Sequence, residues 1–158
     1  MPTIELITLI AAPPARVFDL ARCIDLHAAS MAASGEAAVA GVTRGLIGPG
    51  QSVTWRARHF GVWQTLTSQI TAYSYPDHFR DSMVAGAFRR FDHDHYFDLA
   101  GAGTRMRDRF DYTAPLGPLG CLADGLFLAA YMRRLLAERN RVVKAVAESS
   151  QWRQFLGA

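Results

Sequence analysis

Apolar and polar positions alternate along most of this chain, and the alternation breaks into a small number of elements. Thr3 to Ala11 is rich in Ile, Leu and Thr and predicts a strand. Pro13-Pro14 stops it and suits the first turn of a helix. That helix runs from Ala15 to about Cys23, with Val17, Phe18 and Ala21 on its inner side. A second short helix or turn covers Asp25 to Ser34, and Gly35 interrupts it. From Glu36 to Thr113 the pattern gives strands at about 36–45, 52–60, 62–73, 78–84, 88–99 and 104–113. The Gly- and Pro-containing connections are short, which implies an antiparallel meander. A long helix follows, from about Leu119 to Glu148. Its stripe is Leu128, Met132, Leu135, Leu136, Val142, Val143 and Val146, in keeping with a 3.6-residue period.

This order predicts an α+β fold: a curved antiparallel sheet of about seven strands wrapped around one long C-terminal helix, with two short helices after the first strand. The helix must bury its stripe against the concave face. The space between them is a natural ligand cavity. Residues 1–149 read as one domain, and 150–158, with Trp152 and Phe155, as a loose or docked tail.

Period-2 geometry then sorts the polar residues. In Phe91-Asp92-His93-Asp94-His95-Tyr96-Phe97, one face carries Phe91, His93, His95, Phe97 and, further on, Leu99. Asp92, Asp94, Tyr96 and Asp98 take the other face, expected to meet solvent. The same sorting puts His59 with Val53, Trp55 and Ala57, and Asp81 with Phe79 and Met83. It also puts Asp108 with Thr104, Met106, Phe110 and Tyr112. On the long helix, Arg139 falls between Leu135 and Val143, inside the apolar stripe. An unpaired buried guanidinium costs several kcal/mol or more. Arg139 is therefore expected to meet a carboxylate across the cavity, Asp108 or Asp81. A snorkelling Arg139 and hydrogen-bonded core histidines are the bland alternatives.

Composition narrows the function classes. Half of the 158 residues are hydrophobic and a fifth charged, an ordinary globular balance. The net charge is +3, with the arginines spread out rather than in a block, so the surface reads as solvated and not as a nucleic-acid footprint. No apolar run reaches the roughly 18 residues of a membrane span. Met1-Pro2-Thr3-Ile4-Glu5 lacks the build of a signal peptide, and Cys23 and Cys121 make no disulfide framework. A cytoplasmic location is expected. Cys23 and His27 share an i,i+4 face, which reads as helix packing.

The chain resembles the START-like, helix-grip (SRPBCC) superfamily, which includes the birch pollen allergen, lipid-transfer START domains and polyketide cyclases. The resemblance covers almost the whole chain. It rests on element order and on Ala12-Pro13-Pro14-Ala15-Arg16-Val17-Phe18-Asp19-Leu20. A subgroup of bacterial proteins of unassigned biochemistry is similar in Asp25-Leu26-His27, His59-Phe60-Gly61, Phe79-Arg80-Asp81, His93-Asp94-His95 and Pro115-Leu116-Gly117. The resemblance implies the fold and a ligand cavity. It implies no reaction, because this fold serves carriers, sensors and enzymes alike.

The expected function is binding of a small hydrophobic molecule, such as a lipid, polyketide-like, quinone or aromatic compound. Apolar walls are expected from Trp55, Leu66, Met83, Phe91, Phe97, Met106, Phe110, Met132 and Leu136. The polar end is expected from His59, Asp81, His93, His95, Asp108 and Arg139. An alternative is a cyclase, isomerase or hydrolase with His93 or His95 as general acid–base, beside Asp108. A third reading is a protein-interaction module without a ligand. No cofactor and no metal is expected, and His59, His93 and His95 are only weak candidates for metal ligands. The oligomeric state is left open, a homodimer included.

Overall fold

The computed structural model of the chain describes residues 2–157. Seven strands form one sheet: β1 (Thr3–Ile10), β2 (Ala37–Gly41), β3 (Ser52–His59), β4 (Val62–Ser74), β5 (His78–Ala85), β6 (Arg90–Ala100) and β7 (Gly103–Thr113). Their order is β1-β7-β6-β5-β4-β3-β2, and each neighbouring pair is antiparallel. The sheet is thus a meander from β2 to β7, with β1 added beside β7. The register shifts within the β4–β5 pair between Thr67 and Ser68 and between Ile70 and Ala72. Such bulges bend a strand and raise its twist, which lets the sheet curve.

Between β1 and β2 lie helices α1 (Pro14–Ala21) and α2 (Ile24–Ser30), then a 3₁₀ turn, Ala32–Ser34. Pro14 opens α1, where its missing N–H costs nothing. Val17, Phe18, Leu20 and Ala21 are buried. The Phe18 ring meets Tyr73, Tyr75, Phe79 and Phe97 at centroid distances of 5.0–5.4 Å. This aromatic cluster pins α1 to one end of the sheet.

The expected single helix from Leu119 is in fact three pieces. Helix α3 (Gly117–Ala123) leads through a π-helical turn, Asp124–Leu128, into α4 (Ala129–Ala147). The Tyr112 hydroxyl donates to Asp124 and ties that turn to β7. The buried side of α4 is Leu136, Arg139, Asn140, Val143, Val146 and Ala147. A last helix, α5 (Trp152–Leu156), follows. Trp152, Phe155 and Leu156 pack against the core, so the tail is docked.

Three expectations about the strands need correction. The strand expected over 36–45 ends at Gly41. Gly41 has φ +72°, and a Cβ there would sit 2.3 Å from the Ser52 carbonyl oxygen. Leu99, near the β6–β7 hairpin turn, is 72% exposed despite its inward alternation. Asp94, expected in solvent, is buried at 2% exposure. Arg80 clamps it with two hydrogen bonds of 2.9 Å, and His78 approaches at 2.7 Å. A bidentate fork of this kind satisfies a carboxylate without bulk water.

Candidate functional site

A cavity of about 340 Å³ lies between the sheet and α4. Its walls are mostly apolar and include Trp55, Ala57, Leu66, Phe91 and Phe110 from the strands and Leu128, Met132, Leu135 and Leu136 from the helical side. Its rim carries Phe60, 59% exposed, and Tyr131. His59 Nδ1 pairs with the Tyr131 hydroxyl at 2.7 Å. Arg139 is eight residues further along the helix, about 12 Å along the axis. Polar groups meet the cavity at several places, among them His27 with Glu36. His59 with Tyr131 lies at one level, and Asp81, His93, His95 and Arg139 lie at another.

The inner group is built by adjoining strands and the helix. Asp81 on β5 stands directly opposite His93 on β6, and His95 stands opposite Asp108 on β7. Alternation puts all four on the concave face. Asp108 is the hub. Its Oδ1 lies 3.0 Å from His93 Nε2, 2.9 Å from His95 Nδ1 and 3.5 Å from Arg139 Nη1. Its Oδ2 accepts from Asn140 Nδ2 at 2.6 Å. His95 Nε2 reaches Asp81 Oδ2 at 2.9 Å. Arg139 donates to the Ala21 carbonyl at 2.9 Å and to Asn140 Oδ1 at 3.1 Å.

The His95 Nδ1–Asp108 contact is short but badly directed. The atom is fully buried without a hydrogen-bond partner of good geometry among the described residues. The contact is ionic. His93 Nδ1 differs. The ring's hydrogen bond is made by Nε2, and Nδ1 lies 4.0 Å from Asp81 Oδ2. His93 itself lines the cavity.

These contacts divide the protons. Burial works against the Asp108 charge, yet the His93 hydrogen bond and the His95 contact hold its carboxyl well below the ordinary range. Burial likewise opposes ionised Asp81, and His95, His93 and Arg139 overcome it. Burial pushes His95 toward neutrality, but Asp108 and Asp81 outweigh it, so His95 holds its proton more tightly than a free imidazole. For His93 burial wins, helped by charged His95, and its pKa falls. The rings stand 3.9 Å apart, one favouring the imidazolium and the other the neutral form. Neutral His93 donates from Nε2 to Asp108, which leaves a lone pair on Nδ1.

Of the residues expected from the sequence, Trp55, His59, Leu66, Asp81, Phe91, His93, His95, Phe110, Met132, Leu136 and Arg139 line the cavity. Phe97 and Met106 do not. They face each other in register and are buried in the core under α1, where Phe18 covers Phe97. Met83 does not line the cavity either; it packs, partly buried, against the cluster that contains Phe91 and Phe110. Asp108 sits behind the histidines, screened from the cavity by His93 and His95. Arg139 does meet Asp108, although Asn140 makes the closer contact. His59 is not grouped with His93 and His95. Asp81 is the third potential ligand, with one atom from each residue within 4.8 Å of the others. Sequence reading missed Asn140, although it sits four residues after Leu136 and three before Val143, on the buried stripe. His27 pairs with Glu36 at 2.8 Å and lies tilted against Trp55, and all three line the cavity.

A curved antiparallel sheet gripping a long helix, with a cavity between them, defines the helix-grip class. The chain belongs to the "Polyketide cyclase / dehydrase and lipid transport" family, whose model matches residues 1–148. No curated protein matches the sequence. Among solved structures, the ZhuI aromatase/cyclase from a Streptomyces species has a TM-score of 0.73 at 16% identity, over 93% of each chain. TTHA0849 from Thermus thermophilus has a TM-score of 0.72 at 21% identity, over 92% of this chain and 99% of that one. A major latex-like protein from Panax ginseng has a TM-score of 0.64 at 16% identity, over 94% and 98%. At these identities the likeness speaks to the fold. No helix among the described residues is long and apolar enough to cross a membrane.

Proposed function

We propose that this protein binds a small, largely apolar molecule whose inner end carries an oxygen function: a carbonyl, hydroxyl or carboxylate. One observation carries the reading. The apolar cavity ends on the charged group of Asp81, His93, His95 and Arg139 rather than on more core. Apolar walls supply affinity, and a few convergent polar groups fix orientation. An open interior of this kind favours a ligand over an interaction module without one.

A second reading is acid–base catalysis of a cyclisation, isomerisation or hydrolysis. It is favoured by the cavity-side Nδ1 of His93, held as an acceptor by the Nε2–Asp108 hydrogen bond. The ZhuI protein, an aromatase/cyclase by name, has this fold. Fold alone does not transfer a reaction.

The test is native mass spectrometry of the purified protein against its denatured mass. A reproducible organic adduct, released on denaturation, supports ligand binding and identifies the compound. A His93→Ala variant then separates the readings. A carrier loses affinity or selectivity. An enzyme keeps binding and loses turnover. No adduct, together with no saturable binding of an apolar fluorescent probe to the wild type, overturns both.

A further inference from the structure

We propose that Asp81, His93 and His95 form a binding site for a divalent first-row transition ion, best suited to zinc, at the inner end of the cavity. Two imidazoles and one carboxylate are the donors such ions take, and they leave further coordination positions open. The three residues each offer an atom within 4.8 Å of the other two. Asp81 Oδ2 lies 2.9 Å from His95 Nε2 and 4.0 Å from His93 Nδ1. Ligand atoms about 2.0–2.1 Å from a tetrahedral ion stand about 3.3 Å from one another, between those two distances.

The stronger argument lies behind the ligands. A metal-bound histidine nearly always gives its other ring nitrogen to a carboxylate or carbonyl, which fixes the ring and its tautomer. Here a single carboxylate faces both. Asp108 Oδ1 accepts from His93 Nε2 at 3.0 Å and makes an ionic contact of 2.9 Å with His95 Nδ1, the two nitrogens that point away from Asp81. Asp108 is in turn held by Asn140 at 2.6 Å. The His93–Asp108 bond turns the coordinating edge of His93 toward Asp81, and His95 already presents Nε2 to Asp81 Oδ2 at 2.9 Å.

Charge is compatible with a cation. Ion binding displaces the proton that His95 Nε2 shares with Asp81, and Asp81 and Asp108 then carry two negative charges against the one positive charge of Arg139. The open positions face the cavity, so the ion would meet an oxygen of the bound molecule. A metal ion and a free base compete for the same nitrogen of His93. The acid–base reading therefore describes the metal-free protein.

The experiment starts from wild-type protein stripped with a chelator and dialysed. Zinc is titrated by calorimetry, and cobalt(II) is followed by its visible ligand-field bands. The expected result is one equivalent of zinc and a cobalt spectrum of low coordination number with nitrogen donors. His93→Ala, His95→Ala and Asp81→Asn are each expected to lose at least 100-fold in affinity. His78→Ala, on the opposite face, is expected to bind normally. Asp108→Asn, a positioning change, is expected to weaken binding by about 10- to 100-fold. Circular dichroism checks that each variant folds. If one does not, paramagnetic broadening of the His93 and His95 imidazole resonances by cobalt in the wild type decides instead. Less than one equivalent on the wild type, or one equivalent that His93→Ala retains, overturns the site. An apolar fluorescent probe is titrated into the same samples. Probe binding without metal binding sinks the metal site alone, and metal binding without probe binding sinks the cavity reading alone.

Discussion

Asn140 on α4 donates to Asp108 on β7 at 2.6 Å, joining the helix to the sheet by a bond between an amide and a buried carboxylate. The same amide nitrogen lies 3.4 Å from Thr8 Oγ1 on β1, and its oxygen accepts from Arg139. Asn140 thus links three elements at the back of the site, although it does not line the cavity.

Replacing Asn140 with Leu should destabilise the fold by about 2 kcal/mol, the scale of a lost hydrogen bond to a charged group. Urea denaturation of wild type and variant measures it. An unchanged midpoint would show that Asp108 finds another partner.

Arg139→Met should cost more, about 3–5 kcal/mol, because it leaves Asp108 with less compensation in a buried position. Adding Asp108→Asn should return part of that loss, so the two changes should be non-additive. A double-mutant cycle reads the coupling.

Ala57→Phe places a ring in the cavity wall. It should cut the affinity for an apolar fluorescent probe by at least tenfold and leave stability nearly unchanged. Overpacking a filled core would instead cost about 1–3 kcal/mol. The thermal midpoint and the probe titration together distinguish an open cavity from a packed interior.

Acid should expose the Asp94 clamp. Burial opposes the Asp94 charge, and Arg80 and His78 outweigh it, so its folded pKa lies below the usual value. A depressed folded pKa gives stability that is present above the unfolded value, about 3.9, and is lost as pH falls through the folded one. Asp94→Asn should be less stable at neutral pH. Its stability should also fall less steeply than the wild type's below about pH 4. Urea midpoints across that range test the slope. Parallel curves would refute the clamp.

The two thiols should react at very different rates. Cys23 is buried, and burial raises its pKa, whereas Cys121 is exposed. A thiol-reactive disulfide reagent should modify Cys121 promptly and Cys23 only on unfolding. Peptide mapping after brief labelling assigns them.

The element order was legible in the sequence because period 2 and period 3.6 are local properties of the backbone. So was the inward face of β6, since His93 and His95 follow the same alternation as Phe91 and Phe97. Alternation failed for Asp94 because a face is not its environment. His78 and Arg80 close over that carboxylate from the next strand. It failed differently for Phe97 and Met106, which point inward but lie under α1 rather than beside the cavity. A charged residue on the apolar stripe signalled that Arg139 needs a carboxylate. Only register and helix placement decided that Asp108 lies behind both histidines, that Asp81 lies in front, and that His59 pairs with Tyr131 instead. Periodicity states which side of an element a residue takes. Which groups then meet depends on strand register and on where a distant helix comes to rest, and neither is encoded within a single local window.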